Sequence, residues 1–293
     1  MGDSGTVPTD NIDSAIKTSQ ITSDDNTTSS NQPRATAATV SLQSLPNQAA
    51  SLAPSQAHQL RARALTFTVK GRTLIDHVDF QVKDTGVSTI LGFNGAGKSL
   101  LLRLLHGLIT PTHGELLWGD EKVETQHRKR QAMVFQKPVL LRRNTLDNVL
   151  FALKSRGSKD KQKAEALLER FELSSVATQP ARLLSGGEAQ RLALARAMAT
   201  EPDVLFLDEA TASLDPASTA KIESLIREIC DVGTKVIMVT HDLGLARRLS
   251  AEILFLDRGT IVEQSDASSF FNVDNKNRQP MVNNFLAGEL PDY

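Results

Sequence analysis

The first regular pattern along the chain is an alternation of apolar and polar residues. Residues 65–69 (LTFTV) alternate in this way, and residues 78–82 (VDFQV) repeat the pattern. A period of two is typical of strands that bury one face and expose the other. The pattern therefore predicts an antiparallel β subdomain at the start of the folded region.

Further along, four short runs are rich in apolar and β-branched residues. They lie at residues 87–91, 204–207, 236–239 and 253–256. Runs of this kind are typical of strands that are buried on both faces of a parallel sheet. Helical patterns separate them, and residues 145–183 form a mainly helical block. Strands that alternate with helices predict an α/β fold with a parallel core, to which a helical subdomain is added.

Residues 1–58 differ in composition from the rest of the chain. They are rich in Ser, Thr, Asn, Gln, Ala and Asp and contain no aromatic residue. Such a segment cannot bury enough apolar surface to offset its conformational entropy, so we predict a disordered tail. Its aspartates argue against an organelle-targeting presequence. The predicted organisation is this tail, a folded domain at residues 59–270, and a C-terminal helical extension at residues 271–293.

The composition of the chain excludes several classes of protein. No apolar run approaches the roughly 18 residues that a membrane-spanning helix needs. A single cysteine excludes a disulfide within the chain and suits a reducing compartment. The net charge of -1 provides no basic field that would attract nucleic acid. We therefore expect a chain that neither spans a membrane nor is secreted, and that has no nucleic-acid partner.

Residues 92–99 (GFNGAGKS) fit the phosphate-loop pattern G-x-x-x-x-G-K-[ST] at every fixed position. A predicted strand precedes them and a predicted helix follows, which is the context that the pattern requires. Glycines let successive backbone N–H groups point at phosphate oxygens, and the helix N-terminus adds positive potential. We expect Lys98 to reach the β- and γ-phosphates of a nucleoside triphosphate and Ser99 to ligate Mg2+. The other predicted nucleotide-binding residues here are Gly92, Asn94, Gly95, Ala96, Gly97 and Leu100.

Two acidic residues, Asp208 and Glu209, follow the apolar run at residues 204–207. In α/β folds, ligands lie beyond the carboxyl ends of the strands, so these acids are expected to face the bound phosphates. Asp208 is expected to hold Mg2+, and Glu209 to polarise the water that attacks the γ-phosphate. The alternative is a solvated acidic turn without chemistry.

Residues 184–191 (LSGGEAQR) are the most diagnostic stretch of the sequence. A serine and two glycines at the start of a helix form an anion site. Together with the two motifs above, this stretch resembles the ATP-binding subunits of ABC transporters, in which it caps the nucleotide of a second copy. The resemblance covers roughly residues 62–265. It implies that residues 59–270 are an ABC-type ATPase domain, a P-loop NTPase fold in which Ser185, Gly186 and Gly187 bind the partner copy's ATP.

The resemblance assigns roles to three further positions. Gln136 resembles the family's glutamine that touches Mg2+ and the attacking water. His241 resembles the histidine that contacts the γ-phosphate and orients Glu209. Residues 213–215 (SLD) resemble the loop that crosses the dimer interface. The implied catalytic residues are Glu209, His241 and Gln136, and the implied metal ligands are Ser99, Gln136 and Asp208.

Two positions depart from the family's pattern. The aromatic residue that stacks on adenine is replaced by Val69 at the best-aligned position, with Phe67 two residues earlier. The residue that holds the base is therefore left open. Leu100 stands where many family members have threonine, at a position that serves helix packing more than chemistry.

The resemblance also implies partners, a location and a cargo. Two copies are expected to sandwich two ATP molecules and to drive integral membrane permease subunits. A periplasmic or surface solute-binding protein is expected to deliver the solute to these permease subunits. The expected location is peripheral, on the cytoplasmic face of the bacterial inner (plasma) membrane. Residues 91–108 and 133–149 look most like oxyanion importers, with tungstate foremost and phosphate and molybdate as close relatives. We therefore expect import of an oxyanion such as tungstate.

Other functions remain as alternatives. The same ATPase could serve an amino-acid importer or an exporter, and a soluble non-transport ABC ATPase is a further candidate. The short distance in sequence between Gln136 and Ser185 leaves no room for the long coiled coil of chromosome-maintenance ATPases. A single motif set excludes the fused pair of ribosome-acting members. A small-molecule kinase does not explain residues 185–188.

Overall fold

A computed structural model describes residues 59–275 and 278–289 of the chain. The tail predicted at residues 1–58 lies outside the described residues. All of the described residues belong to one compact unit. Within the described part of the chain, no helix is long and apolar enough to cross a membrane.

The strands form two sheets. In chain order they are β1 (Leu60–Val69), β2 (Arg72–Gln81), β3 (Val87–Leu91), β4 (His113–Trp118), β5 (Glu121–Lys122), β6 (Gln131–Val134), β7 (Val204–Asp208), β8 (Lys235–Val239), β9 (Ser250–Asp257) and β10 (Thr260–Asp266). The first sheet is antiparallel, with the strand order β2-β1-β4-β5. It is the antiparallel β subdomain that the alternating pattern predicts.

The second sheet has the strand order β10-β9-β3-β8-β7-β6. Its strands pair in parallel except β9 and β10, which pair antiparallel. The four predicted core strands are confirmed as β3, β7, β8 and β9, and β6 adds a fifth parallel strand outside the predicted runs, whereas β10 is not predicted from the sequence. Its residues are half-buried or exposed because it lies at the edge of the sheet, so they carry no buried-strand pattern.

The first seven helices lie between these strands, and the last two follow β10. They are α1 (Lys98–Leu105), α2 (Thr125–Arg128), α3 (Thr145–Ser155), α4 (Lys161–Arg170), α5 (Gly186–Met198), α6 (Pro216–Asp231), α7 (Leu243–Leu249), α8 (Ala267–Phe270) and α9 (Pro280–Ala287). Five of them begin at a side chain that accepts a hydrogen bond from a backbone N–H of the first turn, which stabilises a helix start by about 1 kcal/mol. These N-cap residues are Asn144, Asp160, Ser185, Asp215 and Asp242.

The second sheet separates two layers of the core. Along β7, Leu205 and Leu207 pack with helices α3 to α6, whereas Val204 and Phe206 pack with α1 and the first sheet. Successive side chains of a strand point to opposite faces, so a continuous apolar run serves both layers. A third cluster joins Leu91 and Phe255 to α8 and α9. Within the described residues, the C-terminal extension predicted at residues 271–293 therefore shares a core with the domain predicted at residues 59–270.

Candidate functional site

The phosphate loop lies between β3 and α1 and is folded around its glycines. Gly92, Gly95 and Gly97 have φ angles of 149°, 81° and 101°, which residues with a Cβ atom rarely adopt. A Cβ atom on Gly92 would lie 2.0 Å from the carbonyl oxygen of Leu256. The fixed glycine at this position is thus required because the loop passes directly against the end of β9.

Lys98 lies at the centre of this loop. Its Nζ donates hydrogen bonds to the carbonyl oxygens of Gly92 and Phe93, both at 2.8 Å. Burial lowers the pKa of Lys98, and the nearby carboxylates of Glu209 and Asp208 act in the opposite direction. The structure therefore holds a cation inside a loop whose N–H groups are arranged for an anion, as a triphosphate site requires.

Ser99 and Asp208 are brought together from α1 and β7. The hydroxyl of Ser99 donates to Oδ1 of Asp208 at 2.7 Å, and Nη2 of Arg103 lies 3.6 Å from the other carboxylate oxygen. Asp208 is buried at the carboxyl end of its strand. A hydroxyl and a carboxylate beside a phosphate site are oxygen ligands of the kind that Mg2+ prefers, so this pair fits the expected metal.

Two side chains converge on Glu209. Nε2 of Gln136 donates to Oε2 of Glu209 at 3.1 Å, and Nδ1 of His241 lies 3.5 Å from the same oxygen. These residues follow three different strands, β6, β7 and β8, whose carboxyl ends meet at one edge of the sheet. The structure therefore brings together all three predicted catalytic residues beside the pair of Ser99 and Asp208.

The backbone of Glu209 is itself unusual. Its φ angle is 49°, in the left-handed region that non-glycine residues rarely adopt. Its N–H donates to the carbonyl oxygen of Val239 at 3.0 Å, which ties this conformation to the end of β8. Backbone strain of this kind is often found where a side chain must be aimed at a reacting group.

The stretch at residues 184–191 forms the start of α5. Ser185 and Glu188 form a capping box, in which the Glu188 carboxylate accepts hydrogen bonds from the backbone N–H and the hydroxyl of Ser185, each at 2.8 Å. These hydrogen bonds lower the pKa of Glu188. Within the described part of the chain, the hydrogen bonds of Ser185 stay in the first turn of its own helix. Among the described residues, no hydrogen bond links Ser185 to Lys98.

The predicted interface loop lies against the same stretch. A Cβ atom on Gly187 would lie 2.5 Å from Oγ of Ser218, and one on Gly186 would lie 3.4 Å from a methyl group of Leu214. Asp215 caps α6 by accepting from the N–H of Ser218 at 2.9 Å. Two regions that the sequence assigns to the dimer interface are thus neighbours on one surface of the monomer.

Comparisons with known proteins give the family. The family described as ABC transporter matches residues 75–212. The methionine import ATP-binding protein MetN 1 of Staphylococcus epidermidis is 36% identical over 209 residues, or 67% of this chain and 61% of that protein. The MetN protein of Francisella tularensis subsp. holarctica is 33% identical over 233 residues, or 75% of this chain and 67% of that protein. The chain belongs to the ABC transporter family.

A solved structure of this family has the same fold. It is the dimeric post-hydrolysis state of the ATP-binding cassette MJ0796 bound to ADP and Pi, and it is similar to this ABC chain with a TM-score of 0.65. The two are 28% identical, and the match covers 71% of this chain and 98% of the other. The predicted ABC-type P-loop NTPase fold is therefore confirmed, and the chain is an ATP-binding member of the family.

The comparisons also bear on the expected cargo, an oxyanion such as tungstate. The curated relatives named above import methionine, and the ABC chain spans 61% of the length of the first of them. The comparisons therefore do not support an oxyanion, and they favour the amino-acid alternative. The physical reason is that residues 91–108 and 133–149, which carried the oxyanion expectation, form the phosphate loop, α1 and the surface after Gln136. Both segments adjoin the candidate nucleotide site, so similarity within them does not identify a transported solute.

The adenine-stacking residue of this ABC chain remains a proposal. Phe67 is partly buried and packs against the core, whereas Val69 is 41% exposed. If Phe67 is the platform, Phe67→Ala should weaken ATP binding about tenfold, since stacking on an aromatic ring stabilises a base by about 1–3 kcal/mol. Calorimetric titration measures this, with Val69→Ala as the matched control on the same strand. Unchanged affinity in folded Phe67→Ala would place the base elsewhere.

Sequence reasoning missed three contacts around the site. Arg103 lies beside Asp208, and Nε2 of the buried Gln190 on α5 donates to the carbonyl oxygen of Phe135 at 3.4 Å, next to Gln136. Phe93 occupies a variable position of the phosphate-loop pattern, yet its ring contacts α9. The pattern gives no signal for these contacts because each depends on packing between segments that are distant in the chain.

Proposed function

We propose that this chain is the ATP-hydrolysing subunit of a bacterial importer, and that its cargo is an amino acid of the methionine type. The observation that carries the hydrolytic part is the convergence of Gln136 and His241 on Glu209, beside Ser99 and Asp208. A carboxylate with two polar neighbours next to a phosphate loop is suited to accept a proton from water. Membership of a family that couples ATP hydrolysis to transport supports the rest.

In the proposed reaction, each residue of the site has a separate role. Lys98 turns its ammonium group from the loop carbonyls to the β- and γ-phosphates, and the loop N–H groups hold the triphosphate. Glu209 accepts a proton from the attacking water through Oε2, while Gln136 and His241 fix the position of that carboxylate. Mg2+, held by Ser99, Gln136 and Asp208, supplies positive charge at the phosphates when it is bound.

A second copy of the chain completes the site in this proposal. Ser185, Gly186 and Gly187 begin a 13-residue helix, and this N-terminus suits a phosphate group. In one monomer the hydrogen bonds of Ser185 stay within the first turn of that helix, so the phosphate would come from the partner copy. The related MJ0796 structure is a dimer bound to ADP and Pi, which supports the arrangement.

The membrane partner is proposed to dock on the surface after Gln136. Val139 is 71% exposed and Phe151 is 45% exposed, so both present apolar surface that a partner could cover. Phe151 lines a groove of about 360 Å³, whose other lining residues are Arg143, Asp147, Leu150, Lys154 and Ser155. We propose that a cytoplasmic helix of a permease subunit lies there, which would make this chain a peripheral protein of the cytoplasmic face of the inner membrane.

Reconstitution tests the cargo. The chain would be assembled with its membrane permease in vesicles, and ATP hydrolysis would be measured with the solute-binding protein and one solute at a time. We expect methionine to raise hydrolysis severalfold, whereas tungstate, molybdate and phosphate leave it at the basal rate. Stimulation by an oxyanion alone would overturn the amino-acid proposal. Failure to co-purify with any integral membrane protein would instead favour a soluble ABC ATPase.

A further inference from the structure

Three phenylalanine rings meet beside the phosphate loop. The ring of Phe93, which belongs to the loop, lies 5.2 Å from the ring of Phe285 on α9 at an interplanar angle of 84°. Phe255 on β9 lies 6.0 Å from Phe93 and 5.0 Å from Phe285. Edge-to-face pairs at these distances are favourable beyond the apolar area that they bury. The C-terminal helix is thus in direct contact with the first side chain of the loop.

The backbone of Phe93 links this contact to the lysine of the site. Its carbonyl oxygen accepts hydrogen bonds from Nζ of Lys98 at 2.8 Å and from the N–H of Ala96 at 3.2 Å. The glycines at positions 92, 95 and 97 give the loop no side chain through which it could pack. The ring of Phe93 is therefore a side-chain anchor for a segment that must hold a triphosphate.

Other contacts fix α9 in place. Val282 is completely buried in the cluster that contains Leu91 and Phe255. Arg278, just before the helix, donates from Nη2 to the carbonyl oxygens of Phe270 and Asn272, and from Nη1 to Oδ1 of Asn283 at 3.1 Å. The helix is therefore held by contacts of its own, and removal of the Phe285 ring alone need not detach it.

We propose that Phe285 is a positioning residue for nucleotide binding, which acts by holding Phe93 and hence the phosphate loop in its binding conformation. The inference rests on the proposed function, in which the loop binds ATP. A loop that is already fixed binds phosphate without a further loss of conformational freedom. Removal of the ring contact should therefore lower the affinity for the nucleotide. The phosphates are the part of the nucleotide that the loop holds, so ATP and ADP should be affected alike and adenosine should not.

The test compares Phe285→Ala with Leu286→Ala in the full chain. Leu286 is partly buried in the same cluster and adjacent in sequence, so it is a matched control for lost packing. Calorimetry should give ATP and ADP dissociation constants about three- to tenfold higher for Phe285→Ala, close to the range that loss of an aromatic pair produces. Leu286→Ala should keep the affinity of the unaltered chain. Phe285→Tyr, which retains an aromatic ring, should also keep that affinity.

A double-mutant cycle separates the contact from general destabilisation. Phe93→Leu should weaken ATP binding by a similar factor, and adding Phe285→Leu to it should cause no further loss, because the two rings act through one contact. Thermal unfolding without nucleotide confirms that each variant is folded. Fully additive losses, or normal affinity in folded Phe285→Leu, would overturn the inference. Failure of the unaltered chain to bind ATP would overturn the proposed function instead.

Discussion

Glu209→Gln is expected to lose nearly all steady-state ATP hydrolysis while it retains ATP binding. The amide has almost the shape of the carboxylate, yet it cannot accept a proton from water. A general base contributes roughly 10² or more to a rate, which corresponds to about 3 kcal/mol of barrier. Gln136 and His241 both lie against the carboxylate oxygen Oε2, and in the proposed function they position this carboxylate rather than accept the proton.

The test measures the steady-state rate of ATP hydrolysis and, in a separate titration, the affinity for ATP. ATP affinity should stay close to that of the unaltered chain, and an ATP-bound dimer should accumulate in size-exclusion chromatography because hydrolysis no longer opens it. Glu201→Gln is the matched control, since Glu201 also has a positive φ angle, of 49°, and lies in an ion pair with Lys163 away from the site. Near-normal hydrolysis by Glu209→Gln would refute the assignment of this residue as the base.

Much of the site could be predicted because its residues occupy fixed places relative to buried strands. Asp208 ends β7 and Glu209 follows it, while His241 follows β8, and each strand is visible as an apolar run. In a parallel sheet the carboxyl ends of such strands meet at one edge. Gln136 was placed only by resemblance, because a glutamine after a strand has no chemical signal of its own.

The parts that could not be predicted depend on contacts between distant segments. Phe285 carries no motif, and its contact with Phe93 exists only because β9 and α9 pack beside the loop. The strand β10 was missed because an edge strand with half-exposed side chains lacks an apolar pattern. Phe67 and Val69 lie in β1, whose pairing has register shifts, so alternation along this strand does not tell which side chain faces the base.

The comparisons do not support the oxyanion expectation, and the reason for that is a different one. ATP-binding subunits do not need to contact the transported solute, so their residues carry information about ATP and the permease. The stretch at residues 133–149 runs from the last two residues of β6 to the first turn of α3, past the exposed Val139 and close in sequence to the exposed Phe151. Similarity there can be shared by importers of unlike solutes, and the amino-acid relatives named above are an example.

Mixing two inactive variants is expected to restore ATP hydrolysis, because each site is proposed to be shared between copies. Lys98→Ala removes the phosphate contact of one copy, and Ser185→Arg blocks the helix N-terminus that faces the other copy's nucleotide. A heterodimer of the two has one site with both lesions and one site with none. Random mixing at equal amounts should therefore recover at most roughly a quarter of the unaltered activity.

The matched control is a mixture of Lys98→Ala with Glu209→Gln. Both lesions lie in the half-site that contains the phosphate loop, so every site in every dimer retains one of them and no activity should return. Ser185→Arg also loses a helix cap that stabilises α5 by about 1 kcal/mol, so thermal unfolding must confirm that it is folded. Recovery in the first mixture and none in the control requires a site that two chains complete together. Full activity of folded Ser185→Arg alone, or equal recovery in both mixtures, would contradict the shared site, because the helix N-terminus of α5 would then have no role at the partner's ATP.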